Sequence, residues 1–191
     1  MKDNGFNRII IHARRAEDIA RRYFITNGFD GALTLLGLMV GFASSDNVDI
    51  SIAITACLGA AIALFMSGIS SAYLSETAER KKELQDLEAA LLSDLSESDY
   101  GKAIRYVPVL VAMVNGLSPL LIALLIISPL WLSQSGIVLP LSPFIMAIIF
   151  AMIIIFLLGV ILGRLSKQFW LWTGLRALAI AVLTVLIISI F

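Results

Sequence analysis

Residues 106–163 run for 58 positions without a charged side chain. A bilayer core about 30 Å thick takes about 20 apolar residues per helical crossing, so this run is too long for one span and suits two. Ser128-Pro129, Ser133-Gln134-Ser135-Gly136, Pro140 and Ser142-Pro143 mark the expected break. The third span is therefore predicted over about 104–127 and the fourth over about 143–163. Three further spans are predicted: about 24–45, about 50–75 and about 169–191. The chain is 59% hydrophobic and only 15% charged, where a soluble domain carries about 25% charged residues. The fold class is all-α, a polytopic membrane protein with five transmembrane helices. Zero net charge gives no sign of a nucleic-acid partner. A single cysteine, Cys57, excludes an intrachain disulfide and a cysteine-rich metal site.

Residues 1–22 hold six of the 14 Lys and Arg residues, with Phe6, Ile9, Ile10, Ala13, Ala16 and Ala20 at helical spacing. They read as an amphipathic helix lying in the membrane interface, ahead of a membrane domain over 23–191. A charged tail that only sets topology is the alternative. The segment is not a cleavable signal peptide. His12, the only histidine, reads as a surface residue. The second span continues without a breaker into a charged helix ending near Leu92, part of a water-exposed helical segment over about 76–103. Leu84, Leu87, Leu91 and Leu95 give that helix an apolar stripe.

The other cations lie at 80–105 (five) and 164–176 (three). With five spans, all three basic regions share one side. The positive-inside rule places the N-terminus there, in the cytoplasm, and the C-terminus outside. Trp170 and Trp172 fit an interfacial aromatic belt.

Asp30 is the one carboxylate well inside a span, about two turns from the charged end of the first. Such a group costs about 2.5–3.5 kcal/mol at a helix centre and marks a functional site that needs a partner. At 1.5 Å per residue, Asp30 lies roughly 9 Å and Met66 roughly 13 Å inside the cytoplasmic ends of their spans. The two could face one cavity, with Asn27, Ser67 and Ser70 adding oxygens. Carboxylate oxygens suit Mn²⁺ and Fe²⁺, and a thioether adds affinity for softer ions. A partly dry site favours the neutral form of a carboxylate, which allows a proton to exchange for a metal ion. The structural alternative is an ion pair between Asp30 and Arg176, and for Met66 it is packing, the usual role of a Met in an apolar helix. Glu76, Glu79, Glu83 and Asp86 recur along the emergent helix. They read either as cation capture at the pore mouth, by direct metal binding at the three glutamates, or as a solvated face balanced by Arg80, Lys81 and Lys82.

Small residues suit close helix packing. They occur at Gly37-x-x-x-Gly41, at Gly159-x-x-x-Gly163 and in a stripe of Ala56, Ala60, Ala63, Ser67, Ser70 and Ser71. Asn115-Gly116 and Ser118-Pro119 fall near mid-membrane, where Pro119 frees a backbone carbonyl and should kink the helix.

Asn27-Gly28-Phe29-Asp30-Gly31, the stretch FMSGISSAYLSETAE at 65–79 and WTGLRALAIAVLTVLI at 172–187 together resemble the vacuolar iron transporter family of iron and manganese carriers. Gly68 stands where that family has a Met, Ala72 where it often has a Glu, and the cytoplasmic segment after the second span is short. The likeness fits a small, divergent prokaryotic-type member. It implies a homodimer in the cell membrane that exports Fe²⁺ or Mn²⁺ from the cytosol in exchange for protons, with no tightly bound cofactor. The alternative is a structural or adaptor membrane protein in which Asp30 and Arg176 only pair helices. An enzyme is not expected, since no HExxH, no GxSxG and no intramembrane Asp cluster occurs.

Overall fold

The computed structural model describes residues 3–45, 48–96 and 98–190, with the side chains of 3–18, 99, 100 and 103 excluded. Among them are five α-helices and no strand: α1 (Asp3–Ser44), α2 (Ile50–Leu91), α3 (Asp99–Gln134), α4 (Pro143–Leu165) and α5 (Trp170–Ile188). All five are long and apolar enough to cross a membrane. Lipid offers no hydrogen-bond partners, so a helix, which satisfies its own backbone, is the form such segments must take.

α1 is unbroken from Asp3 to Ser44. The basic stretch and the first span therefore belong to one helix. The apolar face expected over 1–18, and His12 with it, lies outside the described side chains. α2 likewise runs on past the membrane-length portion to Leu91, as expected. It ends where Leu92 turns left-handed (φ 49°) and donates its N–H to the Glu88 carbonyl.

α3 departs from expectation. Its predicted break at Ser128-Pro129 is not there, and the helix passes through Pro108, Pro119 and Pro129 to Gln134. A proline leaves the carbonyl four residues earlier without its helical donor. At Pro129 that carbonyl belongs to Leu125, and the Ser128 hydroxyl donates to it at 2.7 Å. Pro129 itself is fully buried between neighbouring side chains. Local repair and packing together keep the helix going.

Contacts at the two ends show that successive helices alternate in direction. Tyr23 near the start of the first span meets Glu76 late in α2, and Gly163 near the end of α4 meets Trp170 and Thr173 at the start of α5. At the opposite end Gln134 donates to Ser51, and the Phe42 and Phe144 rings lie 6.2 Å apart. All the basic regions therefore gather at one end of the bundle.

The core is formed by Leu35, Leu36 and Met39 of α1, Ile126, Ile127 and Leu130 of α3, and Ile155 of α4, all fully buried. α3 is the hub. It packs extensively on both α1 and α2, whereas α1 and α2 touch only slightly. α4 and α5 form a close pair against the other flank of α1.

Glycines set the crossings. A Cβ on Gly31 would lie 2.8 Å from Pro119 Cα, one on Gly68 would lie 3.0 Å from Gly116 Cα, and one on Gly159 would lie 2.7 Å from Ala177 Cβ. The 159/163 motif thus works as expected. Gly41 of the 37/41 motif has nothing within 4 Å. In α2 the packed face is Ala53, Cys57, Ala61, Gly68, Ala72 and Glu76. The expected stripe of Ala56, Ala63, Ser67, Ser70 and Ser71 is exposed, and Ala60 is half-buried.

Candidate functional site

Asp30 occupies the middle of the outward face of α1. One turn away on either side are Thr26 and Thr34, also exposed. This face is open because Gly28, Gly31, Ala32 and Leu35 turn the opposite side of the helix into the core. Asp30 makes no hydrogen bond or ion pair among the described residues, and neither does Arg176. The ion pair between them that the sequence allowed is therefore not formed within one chain. Arg176 instead lines an apolar groove with Phe29 and Leu33.

Met66, Ser67 and Ser70 are exposed on α2. Asp30 and Met66 thus both lie on open surfaces, carried by two helices that barely meet. Asn27 is turned the other way. Its amide nitrogen donates to the Asn115 carbonyl at 3.4 Å, the carbonyl that Pro119 leaves without a helical donor. The expected consequence of Pro119 is thus visible at Asn27, whose nitrogen is directed into α3.

This contact belongs to a polar seam that the sequence reading did not single out as a site. The Asn115 side chain donates to the Gly68 carbonyl at 2.7 Å, tying α3 to α2. The Ser118 hydroxyl donates to the Phe24 carbonyl, tying α3 to α1. Asn115 and Ser118 are both buried, and Asn115 Oδ1 has no hydrogen-bond partner among the described residues. The sequence signal was present: an amide side chain four residues ahead of a mid-span proline.

Glu76, for which cation capture at the mouth and a solvated face were both open, is turned inward. It is 4% exposed. The Tyr23 hydroxyl donates to Glu76 Oε1 at 3.3 Å, and Arg80 Nη2 lies 3.5 Å from Oε2. Arg80 also donates to Glu83 at 3.2 Å. Glu79, Glu83 and Asp86 are exposed along the emergent helix. Among the described residues no three His, Cys, Asp or Glu side chains converge tightly enough to hold a metal ion.

The chain is similar to the uncharacterized protein MJ0645 of Methanocaldococcus jannaschii. The two are 32% identical over 178 residues, which cover 89% of each chain. No family model matches the chain, and no solved structure does. Similarity at that identity along nearly the full length of both proteins places this chain in the same family as MJ0645.

Proposed function

We propose that this protein carries a divalent metal ion, Fe²⁺ or Mn²⁺, out of the cytosol in exchange for protons, with Asp30 as the carboxylate that binds the ion within the membrane. One observation carries the reading: Asp30 is an unpaired carboxylate on an open face of a membrane-length helix. Facing lipid it would be costly. Facing water or a second protein chain it becomes a ligand. Oxygen ligands suit these ions, and exposed Thr26 and Thr34 flank it.

In this reading the open faces of α1 and α2 meet those of a second copy. A homodimer brings two Asp30 carboxylates and two Met66 thioethers, with Ser67 and Ser70, around one path. That supplies the converging ligands that a single chain lacks. Glu79, Glu83 and Asp86 gather cations at the mouth, while Glu76, already held by Tyr23 and Arg80, braces the helix that bears them. The positive-inside rule supports a cytoplasmic basic end and an outer C-terminus, and we take the membrane to be the cell membrane. The resemblance of 27–31, 65–79 and 172–187 to the vacuolar iron transporters supports the same reading.

The test is metal flux into proteoliposomes loaded with a fluorescent metal reporter, under an imposed pH gradient, for Fe²⁺, Mn²⁺ and Zn²⁺. Flux should require the gradient and fall more than about tenfold in Asp30→Asn, the equivalent of losing one charged ligand. Because Asp30 has no partner within the chain, the same variant should stay within about 0.5 kcal/mol of wild-type stability. If folded protein moves none of these ions, the chain is a structural or adaptor membrane protein.

A further inference from the structure

On the flank of the bundle away from α2, helices α1, α4 and α5 leave a groove of about 350 Å³. Its walls are Phe29 and Leu33 of α1, Ile155 and Leu162 of α4, and Ile180 and Arg176 of α5. Apart from Arg176 and Thr173 the lining is apolar. The groove exists because α4 and α5 are drawn together through Gly159, Gly163 and Gly174, whereas α5 has little contact with α1.

The one charged side chain in the lining is a cation, Arg176. Arg176 lies about 9 Å along α5 from Trp170 and has no acidic partner among the described residues. Beyond it, at the basic end of the bundle, Arg164 closes α4 with its guanidinium 5.7 Å from the Trp170 ring centre. Lys167 is exposed in the connection to α5. Asp30 is next to Phe29 in sequence, but on the adjoining face, and does not line the groove.

We propose that this groove binds an anionic phospholipid: one acyl chain lies along Phe29, Leu33, Ile155 and Ile180, and the headgroup phosphate is held by Arg176 and Arg164. The chemistry is complementary at both ends. A channel with so largely apolar a lining in a membrane protein takes a hydrocarbon chain. A guanidinium one to two turns below the interface reaches up toward headgroup level, and its planar fork matches phosphate oxygens. Basic pockets between membrane helices hold anionic headgroups in this way. Free inorganic phosphate would leave the apolar walls unused. This proposal is independent of metal transport.

Trp170 and Trp172 lie in the first turn of α5, one helical turn ahead of Thr173 and Arg176 of the groove lining, and serve as its reporters. In Trp131→Phe protein they are the remaining tryptophans. This protein is reconstituted in vesicles of phosphatidylcholine containing either brominated phosphatidylglycerol or brominated phosphatidylcholine. The phosphatidylglycerol should quench at lower mole fraction, with a relative affinity raised about fivefold per engaged cation. Arg164→Gln with Arg176→Gln should bring the ratio to about one, with the helical circular dichroism unchanged. Lys81→Gln with Lys82→Gln, on the emergent helix, should leave it unaltered. Equal quenching by the two lipids overturns the proposal. So does a preference that survives loss of both arginines, or one that falls equally in the lysine variant, which would mark general attraction of anionic lipid to the basic face. Absence of quenching by either lipid, with crosslinking between copies across α5, would assign the groove to a second chain and overturn it as well.

Discussion

The side-chain nitrogen of Asn27 is directed at the carbonyl oxygen of Asn115, 3.4 Å away, on the helix turn that Pro119 deprives of a backbone donor. One proline thus creates an acceptor within a membrane-buried helix, and a neighbouring helix supplies the donor.

A double-mutant cycle measures what this exchange contributes. Asn27→Ala should cost about 0.6 kcal/mol and no more than about 1.7 kcal/mol, the mean and the upper value for hydrogen bonds between membrane helices. Pro119→Ala returns a backbone N–H to the Asn115 carbonyl, so Asn27→Ala should cost less in that background. Unfolding by SDS titration in mixed micelles gives the four free energies. Additive losses would show that the contribution of Asn27 does not depend on the carbonyl that Pro119 frees.

Glycine replacement separates the crossings from the open faces. Gly31→Ala drives a methyl group against the Pro119 backbone, with 2.8 Å to its Cα, and overpacking of this kind costs about 1–3 kcal/mol. Gly41→Ala meets nothing within 4 Å, and helix propensity alone favours it by up to about 1 kcal/mol. Thermal unfolding in one detergent should therefore move the two variants in opposite directions.

Two glutamates on the same helix should differ sharply. Glu76→Leu removes the acceptor of the Tyr23 hydroxyl and the partner of Arg80, leaving both groups partly buried, at a cost of about 1–3 kcal/mol. Glu79→Gln, exposed, should change stability by no more than about 0.5 kcal/mol. Tyr23→Phe should lose only part of the Glu76 effect, since Arg80 remains in place. Guanidinium or SDS denaturation of the three variants compares them directly.

The turn after α2 carries a pH-dependent element. The Ser96 backbone N–H donates to Asp94 Oδ1 at 2.8 Å. That bond, with help from the Ser96 hydroxyl, holds the Asp94 carboxyl below its ordinary range. A lowered folded value means that the stabilisation is complete above the unfolded carboxylate pKa of about 3.9. It fades as pH falls through the lower folded value. Amide exchange at Ser96, corrected for its intrinsic pH dependence, should lose protection in that acid window. In Asp94→Asn the corrected protection should be flat across it.

Hydropathy and charge placement made the five spans legible, because apolar length and cation position are properties of the chain alone. The extent of α3 was not. Ser128-Pro129 reads as a stop wherever its freed carbonyl must find an outside donor, and only the folded helix shows Ser128 answering Leu125. Glu76 was misplaced for a related reason. Spacing puts it on one face with Glu79 and Glu83, but its burial depends on Tyr23 arriving from α1, 53 positions away. The orientation of Asp30 follows from which side of α1 the glycines occupy, and that pattern was legible once Gly28 and Gly31 are read as contact points.

α2 is a single rod. Its 42 residues measure about 63 Å at 1.5 Å per residue, roughly twice the thickness of a hydrocarbon core. It lies along α3 from Ser51, which Gln134 reaches, to Gly68, whose carbonyl Asn115 holds, and at Glu76 it meets Tyr23 of α1. No break separates its charged portion from the portion packed on α3. A displacement imposed on the charged end is therefore passed into the α2–α3 interface rather than absorbed by a hinge.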